Sequence, residues 1–111
     1  CDNLKEIDLS NILYIGMNAF EECYSLKSVT LRCNHILVST FYDCISLEEV
    51  NLIDTRSIGS YAFANTKIEY LNLPKTVEYI YDYAFDQMEN LKKIYAKIIY
   101  DLSRVVEGRA L

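Results

Sequence analysis

The sequence predicts an α/β solenoid, in which one short unit is repeated along the chain and each unit packs on the next. Phenylalanine recurs at Phe20, Phe41, Phe63 and Phe85, at intervals of 21, 22 and 22 residues. The same pattern of residues surrounds each of them. A unit of this length cannot bury its apolar face alone, so neighbouring units must share one continuous core.

The first part of the unit is a short strand with the pattern L-x-x-I/V/L-x-L. Alternation along a strand points the last two apolar residues inward and their neighbours outward. The pattern therefore predicts a half-buried strand in every unit. It occurs five times, as Leu4/Ile7/Leu9, Leu26/Val29/Leu31, Leu47/Val50/Leu52, Ile68/Leu71/Leu73 and Leu91/Ile94/Ala96.

The second part of the unit is the segment I-G-x-x-A-F-x-x-C, which is clearest at residues 15–23. It is too short for a long helix, so we expect a tight helical or 3₁₀ turn that places the phenylalanine in the core. The later copies at 36–44, 58–66 and 80–88 differ by substitutions that leave the apolar positions filled, and we interpret them as having kept their frame. Leu37 and Tyr81 replace the glycine, Thr40 replaces the alanine, and Thr66 and Met88 replace the cysteine.

The two motif halves together resemble the BspA-like, or Treponema pallidum-type, leucine-rich repeats. The resemblance covers residues 1–96, about four and a half units, which we expect to be a fragment of a longer array. It implies a right-handed curved superhelix with a parallel β-sheet on its concave side. It also implies a role in adhesion or protein binding, often at the surface of mucosal bacteria or protists.

Residues 97–111 depart from the repeat. Ile98, Leu102, Val105 and Val106 have the spacing of one helix face, and Gly108 is a suitable helix stop. We expect a C-terminal cap that covers the last core face, because solenoids need a terminal element there. A degenerate sixth repeat is the alternative.

Composition limits the classes of partner. The net charge is −5, which argues against nucleic acid because its readers usually carry a basic stripe. No run of 18 apolar residues is present, so we expect no membrane insertion. At the N-terminal end, the strand at residues 4–9 has no unit before it, and its unpaired edge predicts self-association.

The four cysteines and the single histidine do not form a recognisable catalytic or metal-binding motif. Cys1, Cys23 and Cys44 occupy one repeat position, where side chains should run nearly parallel, so we expect free buried thiols and leave a disulfide as the alternative. Zinc sites need paired C-x₂-C spacing, which is absent. His35 lacks an orienting third residue, and we expect it on the surface. The sequence therefore predicts no metal, no cofactor and no enzyme activity.

Ten tyrosines suggest a binding surface, because a tyrosine hydroxyl needs water or a partner. Among the outward strand positions, Tyr70, Tyr95 and Ile53 combine large apolar area with places on neighbouring units. We predict a binding patch of these three residues with Asn51, Asn72 and Lys93. Tyrosine also simply suits strands, which is the alternative explanation.

These observations favour a non-catalytic, protein-binding module of the adhesion type, with a protein or glycoprotein ligand. A passive structural spacer within a larger surface protein is the alternative function. The family resemblance implies a cell-surface or secreted protein, with a cytoplasmic location as the alternative.

Overall fold

The computed structural model describes residue 1 and residues 3–96. This part of the chain is a parallel-strand β-solenoid of about four coils, each stacked on the one before. A coil contains a four-residue strand, in most coils a two-residue strand, and a run of turns. The longer strands are β1 (Glu6–Leu9), β2 (Ser28–Leu31), β4 (Glu49–Leu52), β6 (Tyr70–Leu73) and β8 (Lys93–Ala96). The shorter strands are β3 (His35–Ile36), β5 (Ser57–Ile58) and β7 (Tyr79–Ile80).

The longer strands follow the predicted alternation. Strands β1, β2 and β4 form one parallel sheet, in which Ile7, Val29 and Val50 are register partners. In β2, Val29 and Leu31 are buried while Ser28 and Thr30 are partly exposed. The apolar residues of each strand therefore face the core, and their neighbours form an outward surface that we call the strand face.

The sheet is interrupted between β4 and β6. Strands β6 and β8 pair with each other and form a separate two-stranded sheet. The turn before β6 is one residue shorter than its counterparts, since Ile68 follows Thr66 by two positions whereas Leu47 follows Cys44 by three. Leu47 donates its amide to Cys44, but at the shortened turn Lys67 donates instead to Leu47 in the coil before. The segments 36–44, 58–66 and 80–88 each keep their frame, and the missing position lies after the second of them, between Thr66 and Ile68.

A second parallel sheet runs along another side of the solenoid. It contains β3, β5 and β7, with Ile36, Ile58 and Ile80 as register partners. All three isoleucines are buried. The isoleucine that opens each of the last three of these segments therefore lies at the end of a short strand and fills the core on this side.

The turn segments form the third side. Alternate amides donate to the next coil, as Phe20 does to Thr40 over 2.9 Å, while the amides between them donate three residues back, as Glu21 does to Asn18 over 3.2 Å. Two residues in each segment have a left-handed backbone, with φ of 61° at Asn18 and 59° at Glu22 in the first. A left-handed residue interrupts a helix. The described residues contain no helix, so the α/β class and the helical or 3₁₀ turns are not confirmed.

The phenylalanines stack as a ladder, and three of the four lie in the core as predicted. Phe41, Phe63 and Phe85 are buried, and successive ring centroids from Phe20 to Phe85 lie 5.5, 5.6 and 6.4 Å apart. Phe20 is half-buried because no described coil covers its second face. These rings, together with the strand leucines and the isoleucines of the second sheet, form one core along the length of the solenoid.

The cysteine column corrects one prediction. Cys1 and Cys23 form a disulfide, and their Cα atoms lie 5.2 Å apart. Stacked coils bring equivalent residues to the Cα separation that disulfides require, so the expectation of four free thiols is wrong for this pair. Cys33 and Cys44 are free and buried, as predicted.

The expectations for residues 97–111, a cap or a degenerate repeat, lie outside the described residues. Over residues 1 and 3–96, no helix is long and apolar enough to cross a membrane.

Candidate functional site

The strand face presents its side chains in aligned columns. Parallel pairing places Tyr70 beside Lys93, and Asn72 beside Tyr95. In the same way Thr30 lies beside Asn51. The side chains of Tyr70 and Tyr95 are exposed, at 51% and 44%. The structure thus places five of the six predicted binding residues, all but Ile53, at outward positions of three longer strands.

A groove of about 550 Å³ opens on the strand face where the sheet is interrupted. Its walls come from the two strands that do not pair, β4 and β6, and from the residues just before them. The predicted residues Asn51, Tyr70 and Asn72 all line it, as do Glu48, Glu49, Val50, Lys67 and Glu69. Glu48 and Glu49 both donate their amides to Lys27 in the coil before, whereas at the shortened turn Lys67 donates to Leu47. The groove lies beside this turn, where β4 and β6 belong to separate sheets.

A second groove, of about 420 Å³, lies along β6 and β8. Lys93 and Tyr95 line it, and Asn72 lines both grooves. The Lys93 ammonium nitrogen lies 4.9 Å from the centre of the Tyr95 ring, within the range of a cation–π contact. Asn72 therefore joins the two grooves into one outward surface that carries both exposed tyrosines of the predicted patch.

Ile53 is the predicted residue that the structure separates from this surface. It follows the end of β4, where the chain bends and Asp54 adopts a left-handed φ of 58°. Its side chain is half-buried, and its amide donates to the Leu31 carbonyl over 2.8 Å. Ile53 lines neither groove. If the alternation of β4 continued, the side chain of Ile53 would point outward, but the strand ends one residue earlier, at Leu52.

Polar contacts between neighbouring coils support the strand face. Glu48 pairs with Lys67 at 3.8 Å, and Glu69 pairs with Lys92 at 3.6 Å. The pairs Arg32–Asp54 and Arg56–Glu78 likewise join neighbouring coils, at 3.3 and 3.0 Å. All of these side chains are exposed, so each pair contributes little to stability, about 0 to 1 kcal/mol. Two of these pairs include residues of the groove wall, Glu48 and Glu69. Glu49, which also lines the groove, has no ion-pair partner among the described residues.

The nucleophilic and titratable side chains do not assemble into a metal site in the described part of the chain. His35 lies on the surface, as predicted, and its Nδ1 is 2.7 Å from the Ser57 hydroxyl on the adjacent coil. Burial raises the pKa of the Cys33 thiol, and it raises the pKa of Cys44 to about 11. The Cys44 thiol donates to the Phe20 carbonyl over 3.0 Å. Both thiols are therefore protonated at neutral pH, which makes them poor nucleophiles.

Sequence reasoning missed a second aromatic surface on the turn segments, which we call the turn face. Tyr42, Tyr61 and Tyr83 contribute one ring from each of three coils. The ring centroids of Tyr42 and Tyr61 lie 5.8 Å apart, and those of Tyr61 and Tyr83 lie 5.4 Å apart. Tyr61 and Tyr83 share a repeat position, four residues before Asn65 and Gln87 respectively, so aligning the turn segments could have revealed half of this ladder. Tyr42 belongs to a different position and joins only through the fold.

The fold and its exposed faces define a leucine-rich-repeat solenoid whose outward strand surface is grooved. The family model for the BspA type leucine-rich repeat region matches residues 1–92, in six copies. This chain belongs to that family.

Among solved structures, the chain is similar to a leucine-rich repeat protein from Bacteroides ovatus ATCC 8483. The two share 30% sequence identity with a TM-score of 0.77, over 82% of this chain and 25% of that chain. This chain thus spans about a quarter of the length of that protein. No curated protein matches it.

Proposed function

We propose that this chain is a non-catalytic, protein-binding module of the adhesion type, and that its strand face binds a protein or glycoprotein. The observation that carries the proposal is the groove between β4 and β6, which is lined by Tyr70, Asn51 and Asn72. The other neighbouring longer strands pair with each other, so the groove interrupts an otherwise regular sheet surface. A tyrosine supplies large contact area with few rotatable bonds, and an asparagine supplies both donors and acceptors. This combination suits recognition of a polar ligand.

The residues have different roles in the proposed complex. Tyr70 and Tyr95 act as anchors, because truncation of a buried interface tyrosine typically costs about 2 kcal/mol or more. Lys93 lies over the Tyr95 ring and at the rim, where a charge mainly alters the association rate and the salt dependence of binding. Asn51 and Asn72 supply hydrogen bonds along the groove wall.

A cell-surface or secreted location fits the proposal. BspA-type repeats are often extracellular or surface-associated. The Cys1–Cys23 disulfide supports the same location, because disulfides persist in oxidising compartments and are rare in the cytoplasm. A cytoplasmic protein is the alternative, and it would keep these two cysteines reduced.

The test is binding of the purified chain to immobilised purified glycoproteins and to their deglycosylated forms, measured by surface plasmon resonance. For a ligand found in this way, Tyr70→Ala and Tyr95→Ala should each weaken binding about tenfold or more, whereas Lys93→Ala should have a much smaller effect. Tyr83→Asn is the matched control, since Tyr83 is 46% exposed but lies on the turn face. Parent-like affinity in both strand-face tyrosine variants would refute the proposal.

A passive spacer is the second candidate function, and the ion pairs between neighbouring coils favour it. Each of the four pairs joins residues of two coils, which stiffens a rod without creating a binding site. A spacer would show no strand-face binding to any immobilised glycoprotein. It would keep its extended shape when Tyr70 and Tyr95 are replaced together.

We also propose self-association at the N-terminal edge. Among the strands of the described residues, β1 pairs with β2 alone, and Ile12, Leu13 and Tyr14 beside it are exposed at 44%, 77% and 75%. An unpaired edge next to apolar side chains is a template for pairing. Sedimentation equilibrium should detect dimers that disappear in the variant Leu13→Lys, which changes an exposed side chain and leaves the core residue Ile7 in place. A monomer at high concentration in both proteins would contradict this proposal.

A further inference from the structure

The turn face combines one sign of charge with an aromatic ladder, in which Tyr61 and Tyr83 are exposed and Tyr42 is half-buried. The segments 16–25, 37–46, 59–66 and 81–90 contain six carboxylates and no lysine, arginine or histidine. They hold Glu21, Glu22, Asp43, Asp82, Asp86 and Glu89. Among the described residues, no ion pair joins Glu21, Asp43 or Asp86 to a cation. Lys67 directly follows the third segment, but it pairs with Glu48 at the strand face. The charged side chains within the four segments are therefore carboxylates alone.

The carboxylates lie beside the rings. The charge of Asp43 is the largest cause that raises the pKa of Tyr42, and Tyr61, Glu21 and Asp86 act in the same direction. Acidic groups from three coils thus act electrostatically on one ring of the ladder. Asp43 accepts a hydrogen bond from the Asn65 amide over 2.9 Å, and Glu21 accepts one from the Asn18 amide over 3.0 Å. Both donors are neutral, so these bonds orient the carboxylates without cancelling their charge.

We propose that the turn face binds an exposed, arginine- or lysine-rich segment of a partner protein, at a surface separate from the strand-face site. Charge complementarity identifies the partner. The aliphatic stems of arginine and lysine pack on aromatic rings while their charged heads reach for polar groups. On the turn face the stems lie against Tyr42, Tyr61 and Tyr83, and the heads reach Glu21, Asp43 and Asp86. Arginine fits best, because its planar guanidinium also stacks on aromatic rings.

The geometry favours an extended segment. The rings are spaced 5.4 and 5.8 Å apart along the solenoid. Alternate side chains of an extended strand are about 6.6 Å apart on one side. A segment with arginine at alternate positions therefore presents its stems at nearly the spacing of the rings, with the intervening side chains pointing to solvent.

The test uses a fluorescently labelled peptide of alternating arginine and serine, titrated with the intact chain and followed by fluorescence anisotropy. A matched peptide with glutamate in place of arginine is the first control, and we expect it not to bind. Binding of the arginine peptide should weaken strongly when salt is raised from about 20 to about 300 mM, because these charges are exposed. Absence of binding by the arginine peptide at low salt would overturn the proposal.

Matched variants separate the turn face from general attraction to an acidic protein. Asp86→Asn and Glu49→Gln each remove one negative charge, the first from the turn face and the second from the strand face. Asp86→Asn should weaken binding about threefold, and Glu49→Gln should leave it unchanged. Equal losses in the two variants would show that only net charge matters and would overturn the proposal.

The ladder is tested in the same way. Tyr61→Asn with Tyr83→Asn should weaken binding about tenfold, while Tyr70→Ala should not affect it. Asparagine suits these positions because Asn18 occupies the same repeat position with the same left-handed backbone. If the double variant unfolds, as judged by circular dichroism, Tyr42→Ala is used in its place. Parent-like affinity in the folded variant would contradict a role for the rings, whatever the outcome at the strand-face site.

Discussion

The amide of Gly59 donates a 2.7 Å hydrogen bond to the carbonyl oxygen of Ile36, one coil away. A Cβ atom on Gly59 would lie only 2.9 Å from that same oxygen, and 2.9 Å from the backbone of Leu37 and Val38. The glycine is therefore required by the close approach of two coils.

Gly59→Ala should destabilise the chain by about 1–3 kcal/mol, because the added methyl group meets backbone atoms that cannot rotate away. Chemical denaturation of the parent and the variant measures the difference. Gly16→Ala is the matched control, since Gly16 has the same repeat position but nothing lies within 4 Å of its added Cβ. A Gly59→Ala variant as stable as Gly16→Ala would mean that the coils do not approach this closely.

Phe63→Ala should lower the free energy of unfolding by about 3–5 kcal/mol, the usual cost of emptying a core site of this size. Phe63 is fully buried between Phe41 and Phe85. Phe20→Ala should cost clearly less, because Phe20 is half-buried and stacks on one ring only. Both values come from urea denaturation. If Phe20→Ala proved the costlier of the two substitutions, Phe63 would not be the more deeply buried ring of the ladder.

Thr55→Val should stabilise the chain by about 1 kcal/mol. The Thr55 hydroxyl is fully buried and has no hydrogen-bond partner, so a methyl group in its place removes an uncompensated polar atom. Thr66→Val should have the opposite sign, because the Thr66 hydroxyl donates to the Phe63 carbonyl over 2.9 Å. Thermal midpoints of the two variants test the pair. A loss of stability in Thr55→Val would indicate that its hydroxyl has an unseen partner.

Thiol titration of the denatured, unreduced chain should find two reactive thiols, Cys33 and Cys44, and four after reduction. The Cys1–Cys23 disulfide accounts for the difference. The variant Cys1→Ser, purified under the same conditions, should show three thiols before and after reduction. Four reactive thiols in the unreduced parent would show that Cys1 and Cys23 form no disulfide, as the sequence predicted.

The stability of the chain should fall as pH rises from about 9 towards 11, in part through Cys44. Burial raises the pKa of this thiol to about 11 in the folded chain, so the unfolded chain loses its proton first. The neutral Cys44 thiol therefore contributes its full stabilisation at pH values below the pKa that it has in the unfolded chain. This stabilisation is lost as the pH rises through the pKa that the thiol has in the folded chain. Urea denaturation at several pH values should show a shallower fall in Cys44→Ala. Identical slopes in parent and variant would exclude this thiol as a cause.

Sequence predicted most of the core and the outward position of five of the six residues in the proposed strand-face patch. The positions of Phe41, Phe63 and Phe85 in the ladder follow from the repeat alone, and so does the outward direction of Tyr70 and Tyr95. The helical turn is not confirmed, because spacing does not reveal left-handed residues such as Glu22 and Tyr61, which break the succession of helical dihedrals. We predicted an outward position for Ile53 by continuing the alternation of β4, but that strand ends at Leu52.

The sequence by itself determined which residues face the core, because that depends on the spacing of apolar residues within one unit. Only the tertiary structure decided how the coils register against each other. The groove between β4 and β6 lies beside a turn that lacks a single position between Thr66 and Ile68, although this change hardly disturbs the repeat pattern. Likewise Tyr42 joins Tyr61 and Tyr83 from a different repeat position. Both features depend on hydrogen bonds and packing between coils, which no pattern within one unit contains.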